Sequence, residues 1–125
     1  MKYLLLTYLD EQAWNGLGEI EQQRLIREGT QFARVLQSSG KYLGGSPLES
    51  SASATSVRVR EHRRLVTDGP FAETREQLGG YSLVEVQTRE EAIDIAAKLI
   101  GEGPATVEVR PVRELVGLPA ADCQS

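Results

Sequence analysis

The chain has 125 residues, 40% of them hydrophobic and 26% charged, and its 14 basic against 18 acidic residues leave a formal charge of −4. That length suits one domain with one sizeable core, and the composition excludes a largely disordered chain. The acidic balance speaks against a nucleic-acid-binding face, and one histidine with one cysteine excludes an intrachain disulfide framework or a His/Cys zinc site.

The opening Met1–Leu6 resembles the start of a signal peptide only briefly. Thr7 and Tyr8 dilute the apolar run, Asp10 and Glu11 follow, and no small-residue cleavage site comes after. No apolar run approaches the ~20 residues of a spanning helix, so no membrane segment is expected. Sparse cysteine points to the cytoplasm, and Cys123 reads as an incidental thiol in a tail, with no basic neighbour to activate it.

Lys2 to Leu9 reads as a strand covered on both faces, because nearly every position is apolar or aromatic. Glu19 to Gln37 reads as a helix whose inner stripe is Leu25, Gly29, Phe32 and Leu36, widened by Ile26 and Ala33. Gly40 supplies a left-handed residue just after it. A short strand from Tyr42 to Leu48 is interrupted by Gly44, Gly45 and Pro47, and the Ser/Ala-rich stretch Glu49–Ala54 is a loop. Thr55–Arg60 alternates polar with Val57 and Val59, as a strand with one wet face does, and Arg63–Thr67 is its hairpin partner across a turn at Glu61-His62.

Asp68-Gly69-Pro70 is a strong break, and Phe71–Leu78 reads as a loop or short helical turn. Tyr81–Gln87 is the next strand. Thr88 with Glu91 three residues on forms a capping box, opening a helix with the stripe Ala92, Ile95, Ala96 and Leu99 that Gly101 stops. Ala105–Val112 is the last strand, and Pro111 marks it as an edge. Residues 1–116 then form one domain and Gly117–Ser125 a tail.

The order is β-α-β-(hairpin)-α-β, the split βαβ or ferredoxin-like plan with an inserted hairpin. It predicts an α+β fold, an antiparallel sheet with two helices on one face. Both Leu4/Leu6/Tyr8 and Tyr3/Leu5/Leu9 are apolar, so the face away from the helices is expected to be covered by a second copy in a homodimer.

The densest chemistry lies in the stretch from Asp68 to Tyr81, where Asp68, Glu73 and Glu76 accompany Arg75 and two aromatics. Such a loop can hold a general base or grip a cationic group of a small polar molecule; the plainer reading is a long surface turn with solvated charges. A second cluster is expected where Glu85, Glu108, Arg110 and Arg58 share the face away from the helices, either orienting a polar ligand or forming a structural ion pair at the subunit interface. His62 reads as a solvated turn residue, and the arginines at 58, 60, 63 and 64 as a charged hairpin that blunts a sheet edge. No nucleotide fingerprint appears, and neither cofactor nor metal is expected.

The run Asp68-Gly69-Pro70-Phe71, with Ala72-Glu73-Thr74 and Glu76-Gln77-Leu78-Gly79-Gly80-Tyr81, resembles the DGPF proteins of the YCII-related group. Met1–Leu6 and Val107–Val112 fit the same pattern, so the resemblance runs from about Met1 to Val112. It implies a dimeric α+β barrel and a bacterial source, without a settled activity. Some members of the group are associated with sigma-factor-like regulators. The group's proposed His–Asp pair does not transfer, because the only histidine, His62, lies in the hairpin turn. Catalysis would fall to a carboxylate, Asp68 first and Glu73 or Glu108 next. Gly69 and Pro70 would fix the loop, Phe71 would give an apolar wall, and Glu108 with Arg110 would orient a polar group. The alternative is a non-catalytic regulatory or protein-interaction module linked to transcription.

Overall fold

A computed structural model describes residues 1–119; Cys123 and the end of the expected tail lie outside the described residues. Strand β1 (Lys2–Asp10) runs into a short helix α1 (Glu11–Asn15), followed by α2 (Glu19–Ser38) and β2 (Tyr42–Pro47). After a single 3-10 turn at Ser51–Ser53 come β3 (Thr55–Arg60), β4 (Arg63–Asp68), β5 (Glu76–Glu85), α3 (Arg89–Ile100) and β6 (Ala105–Pro111). The main sheet has the order β2-β5-β1-β6 with every pairing antiparallel, which is the ferredoxin-like arrangement. β6 occupies one edge, as Pro111 requires.

The alternation of β1 decides the layering. Tyr3 and Leu5 are buried against the helices with Val84, Val86, Leu36, Ala92, Ile95 and Ala96. Phe32, Tyr42, Leu99, Val107 and Val109 close the core around them. Helix α3 starts on Thr88, whose Oγ1 accepts from the Glu91 N–H at 3.1 Å. The Glu91 carboxylate reaches back to the Gln87 N–H at 3.2 Å and meets Lys41 Nζ at 3.0 Å. Helix α2 ends in a Schellman motif: Gly40, at φ 78°, donates to Gln37 O, and Lys41 donates to Leu36 O, each at 3.0 Å. At Gly29 a methyl group would stand 3.1 Å from Leu99 O, so glycine there permits the close approach of α2 to α3.

Several sequence expectations need correction. The fifth strand is Glu76–Glu85, not Tyr81–Gln87, so the last three residues of the expected loop Phe71–Leu78 are strand. Gly79 and Gly80 lie within that strand. Thr7 pairs with Gly80 and Tyr8 with Leu78, which leaves Gly79 as the extra residue of a β-bulge. β2 continues through Gly44 and Gly45 by a similar register shift. Helix α1 was not expected; five residues are too few for an apolar period to show. Ile26 does not widen the inner stripe of α2 but is exposed. The hairpin forms its own two-stranded sheet and blunts no edge of the main one, so Arg58 does not join Glu85, Glu108 and Arg110.

Candidate functional site

The sheet face away from the helices carries Leu4, Leu6 and Tyr8 from β1, flanked by Leu83, Tyr81 and Leu78 from β5 and by Arg110, Glu108 and Thr106 from β6. The bulge at Gly79 has a direct consequence here. A one-residue insertion exchanges the two faces of a strand beyond it. Leu78 and Glu76 therefore stand on the open face opposite Tyr8 and Asp10, and Thr106 Oγ1 donates to Glu76 Oε1 at 2.9 Å.

At the end of β1 two shallow depressions meet. One, of about 860 Å3, is lined on the sheet side by Tyr8, Asp10, Arg75, Glu76, Thr106 and Glu108. The other, of about 640 Å3, lies between α1, the 3-10 turn and the motif loop, with Glu11, Ser51, Gly69, Pro70, Glu73 and Gln77 on its wall. Asp10, Thr74 and Arg75 belong to both.

Asp10 joins these walls. Its Oδ1 accepts from the Ala13 N–H at 3.1 Å, which starts α1, and its Oδ2 pairs with Arg75 Nε at 3.1 Å. The Ala13 hydrogen bond first, and the Arg75 guanidinium after it, hold the Asp10 carboxyl below its ordinary value. Next to it, Glu11 accepts from the Ser50 hydroxyl at 3.0 Å, the Ser51 N–H at 3.3 Å and the Ser51 hydroxyl. The Ser51 hydroxyl is the main cause of its lowered pKa. Two adjacent carboxylates thus tie the 3-10 turn and the motif loop to the end of β1. Arg75 is 89% exposed, so most of its guanidinium stays available to an anionic or carbonyl group.

The expected site residues fall into three groups. Gly69, Pro70 and Glu73 line the motif-loop depression. Glu76 and Glu108 line the sheet-side one, and Arg110 pairs with Glu108 at 3.2 Å on the same face. Asp68 and Phe71 line neither: Asp68 is exposed at the root of the hairpin, opposite Thr55, and Phe71 is 81% exposed. The turn after Asp68 is held through Gly69, at φ 100°, whose N–H donates to Ala54 O at 2.7 Å and whose carbonyl accepts from the Ser56 hydroxyl at 2.8 Å. Sequence reasoning missed Asp10, Glu11 and Ser51. The one available signal was an acidic residue ending an apolar strand, in position to cap whatever follows.

Among the described residues no group of three or more His, Cys, Asp or Glu side chains is placed to hold a metal ion, and no helix is long and apolar enough to cross a membrane.

The model of the YCII-related domain matches residues 1–116, nearly the whole chain. The chain belongs to the YCII-related family. A relative, an uncharacterised protein of Rhizobium meliloti (strain 1021), is 34% identical over 114 residues, which cover 90% of this chain and 92% of the relative. The match takes in β1, the hairpin, the motif loop and β6 together, so the open face and both depressions lie within the family domain.

Proposed function

We propose that this YCII-related protein is a homodimer that binds a small polar molecule in the paired depressions at the end of β1. The observation that carries this reading is the meeting of the motif loop with the open sheet face at the Asp10–Arg75 pair, where opposite charges surround one opening. Arg75 contacts an acidic or carbonyl group of the ligand, and Glu73 and Glu76 contact its donors. If the bound molecule is transformed, Glu76 takes first place among the candidate bases, since it lines the depression and is fixed by Thr106. Asp68 takes second place and acts through the loop that Gly69 and Pro70 shape. The second copy covers Leu4, Leu6, Tyr8, Leu78, Tyr81 and Leu83, an apolar surface too continuous for water.

A thermal-shift screen against a metabolite library tests the binding claim. A ligand at 100 times its dissociation constant adds about 2.7 kcal/mol of stability. Glu76→Gln and Arg75→Ala are expected to lose that increment while Asp68→Asn retains most of it. A ligand whose effect survives both of the first two substitutions binds elsewhere.

Exposed Phe71 favours a second reading, a non-catalytic protein-interaction module of the kind the sequence resemblance links to transcription. In that reading Phe71→Ala abolishes capture of a protein partner, and no library compound shifts the melting temperature.

A further inference from the structure

The β3–β4 ribbon stands apart from the rest of the chain. Its register is unbroken from Thr55↔Asp68 to Arg60↔Arg63, and its strands pack substantially only on each other. Val57, Val59 and Val66 share one face and are 60%, 62% and 58% exposed. Arg58, Arg60 and Arg63 lie on the other face with Leu65, and Arg64 sits beside the valines. A lone two-stranded hairpin is marginal in water, so a regular ribbon with three exposed valines on one side needs a cover. The tip is tight: Glu61 and His62 both have positive φ, 52° and 64°, as a two-residue turn matched to the ribbon's twist requires. Six residues per strand give a reach of roughly 20 Å, close to the width of a four-stranded sheet.

Charge indicates what the cover is. Between Thr55 and Asp68 the four arginines outweigh Glu61 and Asp68, a net +2, so the remaining residues carry −6 of the chain's −4. The root of the ribbon, at Gly69 and Pro70, borders the motif-loop depression on the acidic body. A second copy therefore offers what the ribbon lacks, an apolar sheet face beside an acidic groove rich in Asp10, Glu76 and Glu108.

We propose that the β3–β4 ribbon is an exchanged arm, lying valine face down over the groove of a second copy so that each ligand site is completed by the other chain. Arg64 enters the contact with the valines, and Arg58, Arg60 and Arg63 lie on the outer side of the ribbon, so the acidic body attracts the arm through its net charge and not through ion pairs inside the contact. This rests on the homodimer reading above, and the experiment separates the two. Because the ribbon makes few contacts with the other elements, Val57→Ala/Val66→Ala leaves the body folded, which far-ultraviolet circular dichroism checks. Sedimentation equilibrium should then show the dimer weakened about ten-fold or more for the lost valine burial. In a Cys123→Ser background, a spin label on Val59→Cys should broaden the amide signals of Tyr8 and Thr106 in an unlabelled, isotopically enriched copy. A dimer of unchanged affinity with no such broadening overturns the arm and leaves the homodimer standing. A chain that stays monomeric overturns both, whether or not the ribbon then binds a nucleic acid.

Discussion

Asp10 shows how one side chain can organise a site without standing out in the sequence. It ends a strand, caps a helix and grips the motif loop through Arg75, and each role needs its neighbours already in place. Thr88 is the opposite case, because its cap depends only on residues three positions apart. Thr88→Ala is expected to cost about 1 kcal/mol in denaturant unfolding, the usual loss for a helix-capping side chain, with an unchanged slope. The Asp-Gly-Pro-Phe run was legible as a turn for the same reason of locality. Which of its side chains face the groove was not, because that depends on the partners Ala54 and Ser56 across the ribbon root.

At the scale of elements, the strands and helices with a clear apolar period were readable: β1, α2, β3, α3 and β6 stand close to where the alternation places them. The misread segment was β5, because two adjacent glycines suggest a stop, whereas here one is a bulge and the other pairs inside the sheet. Gly45 follows the same logic. A methyl group on it would collide with the Tyr81 carbonyl and the Tyr42 hydroxyl and stand 2.8 Å from Ser82 Cα. Gly45→Ala is thus expected to destabilise the chain by about 1–3 kcal/mol through overpacking, read as a lower denaturant midpoint. A neutral result would mean that β2 can move away from β5 freely.

At the scale of the whole molecule, one layer of helices covers one face of the sheet, and the other face keeps Leu4, Leu6, Tyr8, Leu78, Tyr81 and Leu83 at its centre. The apolar character of both faces of β1 was plain in the sequence, and the proposed second copy follows from it. The site could not be read so far ahead, since Glu76 reaches the open face only through a bulge and the two depressions join around an ion pair whose members are 65 residues apart in sequence. The proposed ligand site and the proposed exchanged arm both depend on the sheet face meeting its own copy. Light scattering after size exclusion measures this most directly: the account predicts a particle of twice the 13.7 kDa chain mass at micromolar concentration, and a single species at the chain mass would contradict it.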